Sequence, residues 1–407
     1  MNCRHCFMPL KNTLIDLGSA PPSNAYLSEG ELGKPEKCYP LRIKVCTECW
    51  LVQTEDYVDP KELFSSDYAY FSSTSSSWLM HAAKFCEEVQ KRIDLNLNSL
   101  VIEIASNDGY LLKNFVANGI PCIGIEPTDS TAKVAESRGI NTIREFFCES
   151  LGKELASEGN QASLIVANNV FAHVPDVNDF TLGLKAALRP KGTIVLEFPH
   201  LLRLIDQIQF DTIYHEHYSY LSLETVISIL SKAGLKVVDV EELSTHGGSL
   251  RVFGCHSDDS RNSCPAVFEI LKTEASMGLK KLATYRAFQK QAEQIRNDFL
   301  EFLLEKKKEG CSVVGYGAAA KGNTLINYSG VTADLLPFIC DAALSKQGMY
   351  MPGSHIPIKP PSVLSENKPE YVVIFPWNLA DEIKNDINSF LEKPIKFVTA
   401  IPRLSIV

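Results

Sequence analysis

The chain has 407 residues, 40 basic and 49 acidic side chains, a formal net charge of −9, and 45% apolar against 22% charged residues. Length and apolar fraction lead us to expect a soluble globular protein of two or three domains, and the acidic balance argues against a general nucleic-acid binder. No run of about 18 apolar residues marks a membrane span. The opening Met-Asn-Cys-Arg-His-Cys holds no apolar signal-peptide core, so the expectation is a cytoplasmic protein whose twelve cysteines stay reduced.

Cys3-Arg-His-Cys6 and Cys46-Thr-Glu-Cys49 are two Cys-x-x-Cys knuckles. Each can place two thiolates on one ion, and four sulfurs suit tetrahedral zinc, although His5 or Cys38 could replace a ligand. With every position filled by protein, none remains for a water. The zinc is therefore read as structural, stapling a module of residues 1–60 that is too small to fold on its own core. Residues 64–77 are rich in hydroxyls and aromatics and precede a helical pattern over 78–92. Helix capping accounts for most of the serines, but not for Tyr68 and Tyr70.

Residues 100–104 form a β-branched run broken only by Glu103, as in a central parallel strand. Small turn residues from Ala105 through Asn107 to Gly109 follow, and a helix is expected near Tyr110, so a ligand can approach the backbone there. A second strand over 122–125 ends in Glu126, and 126 − 103 = 23 residues separate the two acids. That is close to the roughly 20-residue interval that brings an acid to a ribose. An ordinary strand and turn with two incidental acids is the plain alternative. The turn lacks Gly-x-Gly-x-x-Gly. Few amides for a pyrophosphate, with acids for a ribose and an amino group, suit S-adenosylmethionine, which carries a sulfonium and an ammonium but no phosphate.

Another buried strand, 164–167, leads into Asn168, Asn169, His173 and Asp176 at its carboxyl end, the edge where open α/β sheets bind ligands. Asn169 and Asp176 read equally well as helix caps. After a strand over 193–198, residues 209–221 gather three tyrosines, two histidines and two acids. His215 and His217 share a face only in a strand, and no third metal-ligand motif is evident. Acid–base chemistry near neutral pH explains the cluster better, with an imidazole base and phenols to hydrogen-bond an enolate oxygen. A helix over 223–233 and strands over 236–243 and 249–255 complete this sheet. His246-Gly-Gly between those strands is first a turn and second a substrate loop. A charged helical stretch over 269–309 bridges to a new strand, 311–315, and the loop Gly315-Tyr-Gly317-Ala-Ala-Ala-Lys321-Gly-Asn323. With Asp341 ending a later strand, this loosely fits a dinucleotide fingerprint, so NAD is a candidate. Lys321 beside the amide nest suits any diphosphate.

Several segments together resemble the nucleotide-deoxysugar C-methyltransferases, which methylate C3′ of a nucleotide-linked 4-keto sugar. They are Glu103-Ile-Ala-Ser-Asn-Asp-Gly109, Cys49-Trp-Leu-Val-Gln53, Tyr214-His-Glu-His217 and Gly317-Ala-Ala-Ala-Lys-Gly-Asn-Thr-Leu325. Ala105 stands where glycine is more usual among methyltransferases at large, a mild loss because alanine is also small. The resemblance implies an α/β protein with a class I methyltransferase Rossmann-like domain over 61–265. A zinc-binding module over 1–60 and a C-terminal Rossmann-like α/β domain over 266–407 would flank it. S-adenosylmethionine would lie against Glu103, Ala105, Asn107, Gly109, Glu126, Asn168 and Asn169, and the sugar nucleotide, thymidine-linked, against Gly317, Lys321 and Asn323. His217 would take the C3′ proton, helped by Tyr214 and Glu216, with His173 and a tyrosine matched to Tyr70 rather than Tyr68 also in the site. His215 and His173 are the competing bases. The partner is a small-molecule sugar nucleotide, not nucleic acid or membrane, and a monomer is compatible with the sequence. The rival functions are an NAD-dependent oxidoreductase and an inert zinc-containing interaction protein.

Overall fold

Alternating burial shapes the first strands of the computed structural model, which describes residues 1–57, 63, 71–74, 76–391 and 394–406. In β2 (Tyr39–Val45), which follows β1 (Asn12–Ala20), the side chains of Leu41, Ile43 and Val45 turn inward while Arg42 and Lys44 turn out, the period-two pattern of a half-buried strand. β3 (Val52–Thr54) continues this antiparallel meander.

The next strands are β4 (Val101–Ile104), β5 (Cys122–Ile125), β6 (Asn141–Ile143), β7 (Ala162–Asn168) and β8 (Leu188–Pro199). β9 (Ser219–Tyr220) then leaves to join the first sheet beside β3, and β10 (Leu235–Leu243) and β11 (Ser249–His256) close the second. The second sheet runs β10-β11-β8-β7-β4-β5-β6, parallel from β8 to β6, with β11 antiparallel to both neighbours. Every residue of β4 and β7 is buried, because helices cover both faces of a parallel sheet. The chain leaves β4 toward β5 and β6, then returns to place β7 on the other side. Crevices open at the carboxyl ends of strands where the order reverses in this way.

A second such reversal lies in the last sheet. β12 (Val313–Tyr316), β13 (Ile339–Cys340), β14 (Ile358–Lys359), β15 (Tyr371–Ile374), β16 (Lys396–Thr399) and β17 (Ser405–Ile406) stand in the order β14-β13-β12-β15-β16-β17. The charged stretch expected as one bridge is three helices, Pro265–Met277, Leu282–Arg286 and Phe288–Lys308. Gly278, left-handed at φ 74°, ends the first of them. Phe288, Ala292, Ile295, Phe299, Phe302 and Leu303 form a stripe at helical spacing that packs in one core with Leu14, Ile43 and Val52 of the first sheet and Ile339 and Val373 of the last. Cys3, Cys46 and Leu51 pack instead into the core of the second sheet. The N-terminal strands and knuckles are thus wedged between the two larger sheets. Among the described residues no helix is long and apolar enough to cross a membrane.

Candidate active site

The two knuckles converge. The thiol sulfurs of Cys3, Cys6, Cys46 and Cys49 all lie within 4.8 Å of one another, with Cys3 to Cys49 at 3.5 Å and Cys6 to Cys46 at 3.4 Å. Four thiolates about 2.3 Å from a tetrahedral zinc stand nearly this far apart, so the donor set fits the ion. Gln53 Nε2 donates to Cys3 Sγ at 3.2 Å, an outer contact that orients a ligand. His5, the alternative ligand, is held instead by Asn178 Oδ1 at 2.8 Å and Ser228 Oγ at 3.2 Å, and Cys38 is exposed outside the group.

At the β4–β7 switch point the turn after β4 is built from left-handed backbone. Ala105 has φ 52°, Asn107 φ 50° and Gly109 φ 75°. A Cβ on Gly109 would meet Ile140 Cδ1 at 2.3 Å, so glycine is required there twice over. Ala105 differs from glycine in backbone freedom more than in size, because a left-handed alanine is strained. Glu126 fastens the loop. Its Oε2 accepts the Asn107 amide and its Oε1 the Thr128 amide, both at 2.9 Å, with the residue 4% exposed. Burial first, then the charges of Asp108 and Glu126, hold the Glu103 carboxyl well above its ordinary range. The following helix begins at Leu112, two residues beyond the expected start.

Around this turn, Glu103 Oε2, Asn168 Oδ1 and Asn169 Oδ1 are buried with no hydrogen-bond partner among the described residues, while the buried Asp108 carboxylate faces Arg138 Nη1 at 3.5 Å. Buried acceptors without donors are costly, about 1–3 kcal/mol each. Such a set fits a ligand bringing an ammonium, a sulfonium and ribose hydroxyls, which is the inventory of S-adenosylmethionine. Asp176 settles as a helix cap, accepting the amides of Asn178 and Asp179 at 3.1 and 3.0 Å. Asn169 is not a cap. It is left-handed at φ 56° and donates from Nδ2 to His246 Nε2 at 2.8 Å.

Residues 213–218 turn rather than extend, with the His217 amide on the Tyr214 carbonyl at 3.0 Å. The turn gathers Tyr214, His217 and His173, whose rings lie 3.9 Å (Tyr214 to His217) and 4.7 Å (His173 to His217) apart. His217 Nδ1–H donates to the Thr212 carbonyl at 2.8 Å, which fixes Nε2 as the basic nitrogen. Burial, with His173 and Lys321 adding to it, holds its pKa well below the ordinary range, so the ring is neutral. His173 Nδ1–H donates to the Glu216 carbonyl at 2.8 Å, and burial lowers its pKa to about 4. The Glu216 carboxyl turns toward Asn24 Nδ2, at 2.9 and 2.7 Å, and burial raises it to about 7. His215 points elsewhere, its Nε2 on the Tyr39 carbonyl at 3.1 Å. Tyr68 and Tyr70 lie outside the described residues.

In the last sheet, Gly317 (φ 87°) leaves room for no side chain, since a Cβ would stand 2.3 Å from Pro376 Cδ. Lys321 is half-buried beside His246. Its Nζ donates to Asn378 Oδ1 at 2.9 Å and to the His246 carbonyl at 3.4 Å, 4.7 Å from the Trp377 ring. Asn323 is buried, accepting from Asn327 through both its carbonyl and its Oδ1 at 3.0 Å.

Sequence reasoning took the His246 loop first as a turn and missed Glu197. His246 (φ 55°) heads a left-handed run with Gly247 and Gly248 and is half-buried between Asn169 and Trp78. Glu197, fully buried on β8, accepts from His81 Nε2 at 3.0 Å and from Arg251 at 3.2 Å. The signal was there: an acid near the carboxyl end of an apolar strand, as at Glu103.

The β4–β7 switch point, closed by acids and orphaned acceptors rather than a phosphate-binding glycine turn, defines a class I methyltransferase. Three family profiles match the chain: a zinc binding domain over residues 3–64, a methyltransferase domain over 77–240 and a C-methyltransferase C-terminal domain over 244–402. The C-methyltransferase NovU of Streptomyces niveus is 34% identical over 400 residues, covering 98% of this chain and 95% of its own. The chain belongs to the C-methyltransferase family. It is an S-adenosylmethionine-dependent C-methyltransferase with a zinc-binding N-terminal domain, which displaces the oxidoreductase and inert-protein alternatives. Among solved structures, YcgJ of Bacillus subtilis is 13% identical with a TM-score of 0.35 over 43% of this chain and 97% of its own. The glycopeptide N-methyltransferase MtfA is 12% identical with a TM-score of 0.34 over 43% and 94%. Likenesses that low carry no argument.

Proposed function

We propose that this enzyme works in the cytoplasm and methylates C3′ of a nucleotide-linked 4-keto deoxysugar, in its thymidine diphosphate form, with His217 as the base. The observation that carries this reading is the His217 tautomer. With Nδ1–H committed to the Thr212 carbonyl, Nε2 is an unprotonated acceptor in a buried pocket. A proton beside a ketone is within reach of such a base once the enolate oxygen is hydrogen-bonded. Tyr214, packed on the His217 ring, and Glu216, raised to about 7 and so partly protonated at neutral pH, are the donors we assign to that oxygen or to orienting the base. His173 shares the pocket wall. Lys321 is the half-buried cation on the substrate side, and Gly317 and Asn323 shape the loop that carries it.

S-adenosylmethionine, when bound, supplies an electrophilic methyl group. Glu126, Asn107, Gly109 and Ala105 form its ribose-side turn in this reading, and Glu103, Asn168 and Asn169 receive its charged end. The zinc serves structure only, and the division into residues 1–60, 61–265 and 266–407 belongs to the same proposal. Incubation with S-adenosylmethionine and a thymidine diphosphate 4-keto-6-deoxysugar tests it. The expected product is heavier by one methylene, with the new methyl carbon-bound at C3′ by NMR. A methyl on oxygen, or no product, contradicts it.

A further inference from the structure

Two non-glycine residues with left-handed backbone meet at the carboxyl edge of the second sheet, Asn169 after β7 at φ 56° and His246 between β10 and β11 at φ 55°. Such residues are strained and persist only where their surroundings over-determine them. Here one residue of β8 anchors both loops. The Asn169 amide donates to the Glu197 carbonyl at 2.7 Å, and the hydroxyl of Thr245, next to His246, donates to Glu197 Oε1 at 3.3 Å. From the far side, Gln209 Nε2 donates to the Gly247 carbonyl at 2.8 Å, and a Cβ on Gly247 would stand 2.3 Å from the Trp377 ring. The His246 loop is thus gripped between the buried sheet and the last domain.

What both strained backbones bring about is a single contact, Asn169 Nδ2 donating to His246 Nε2 at 2.8 Å. A side-chain amide has a donor end and an acceptor end, so a partner for one end decides which the other side meets. The His246 ring is neutral, because burial and then the Lys321 charge lower its pKa to about 4. An unprotonated Nε2 accepts, and it takes the Nδ2 end. Asn169 Oδ1 is left buried without a donor, as are Asn168 Oδ1 and Glu103 Oε2. An acceptor in that place attracts an ammonium or sulfonium; the same amide turned round would aim its N–H groups at the cation and repel it.

We propose that His246 is a positioning residue for methyl transfer: by accepting Asn169 Nδ2–H, its Nε2 turns Asn169 Oδ1 toward the charged end of S-adenosylmethionine. The inference rests on the reading of Asn169 as a cofactor contact and adds to it a residue that acts through Asn169. The test is calorimetric titration of the full-length zinc-loaded protein with S-adenosylmethionine. Four variants are compared with wild type: Asn169→Ala, His246→Asn, His246→Gln, and Asn169→Ala combined with His246→Asn. Asparagine tolerates the left-handed backbone, which protects the fold, but is too short to reach Asn169. Glutamine places an acceptor oxygen about where Nε2 stood. Expected are affinity losses of about tenfold in Asn169→Ala and about fivefold in His246→Asn, near wild-type affinity in His246→Gln, and a double variant no weaker than Asn169→Ala alone. A histidine that merely supported the loop would add its own loss in the double variant. Wild-type affinity in His246→Asn, or losses that multiply in the double variant, overturns the inference and leaves Asn169 a cofactor contact. Wild-type affinity in Asn169→Ala overturns that contact and the inference with it.

Discussion

Replacing Glu126 with alanine should weaken both the fold and the cofactor site, by amounts the structure sets. The carboxylate is 4% exposed and accepts two backbone amides at 2.9 Å, one in the turn after β4 and one after β5. Removing it leaves both N–H groups to whatever water can enter, at about 1–2 kcal/mol each, so unfolding free energy should fall by about 2–4 kcal/mol. If the same carboxylate also receives ribose hydroxyls, charge-assisted bonds worth about 2 kcal/mol go as well, about 30-fold in affinity. Urea unfolding reads the first effect, and titration of still-folded variant with S-adenosylhomocysteine reads the second. A stability loss below about 0.5 kcal/mol would refute the tether. Unchanged affinity would refute the ribose assignment. From sequence, Glu126 looks like a ligand contact alone; the backbone bonds make it a structural residue too.

Ala105→Gly should stabilise the protein by about 0.5–1 kcal/mol, because relief of a left-handed alanine, about 1–2 kcal/mol, exceeds the extra freedom glycine gives the unfolded chain; a lower urea midpoint would contradict this. Metal analysis should find one zinc per chain, and its removal by a strong chelator should lower the melting temperature of the whole protein, since the knuckles pack into the second sheet's core and their strands into the last. The buried histidines should also cost stability on acidification. His173, against the Glu216 carbonyl and the His217 ring, and His246, facing Asn169, Trp78 and Lys321, are both depressed from 6.5 to about 4. The unfolded chain therefore binds more protons between about pH 6.5 and 4, and stability is lost as pH falls through that window. Glu216, raised from 4.5 to about 7 by burial, works the other way, its contribution lost as pH rises from about 4.5 to 7. Asp211, raised from 3.8 to about 6 by burial, opposes them as Glu216 does, so the histidine share is read by difference: from pH 6.5 to 5 the wild type should lose about 1.5 kcal/mol more stability than His246→Gln. Equal losses in the two proteins would contradict it.

How far the sequence reaches depends on how local the determining physics is. Apolar runs ending in acids at Glu103 and Glu126, and knuckles at two-residue spacing, carry their meaning in adjacent residues, and the strands and the four-sulfur cluster sit where they point. The site's partners come from pairs distant in the chain, such as Asn24 on Glu216 and Lys321 on His246, which no local pattern connects. The direction of His215 depended on reading residues 213–218 as extended. The chain turns there, yet His215 and His217 still part, because one is held by the Tyr39 carbonyl and the other by that of Thr212. The single bridging helix failed for a local reason that was legible, Gly278, whose left-handed backbone stops the first helix.

The central claim is that His217 removes the C3′ proton, and proton exchange isolates that step from methyl transfer. With S-adenosylhomocysteine in place of the methyl donor, wild-type enzyme in deuterated water should exchange the C3′ hydrogen of a thymidine diphosphate 4-keto-6-deoxysugar, read by NMR. His217→Asn should bind the same substrate yet exchange about 10²- to 10⁴-fold more slowly, the usual contribution of a general base. His215→Asn, whose ring serves the Tyr39 carbonyl, should exchange as wild type does. Exchange at the wild-type rate in His217→Asn, with exchange abolished in His173→Asn, would contradict the account and make His173 the base.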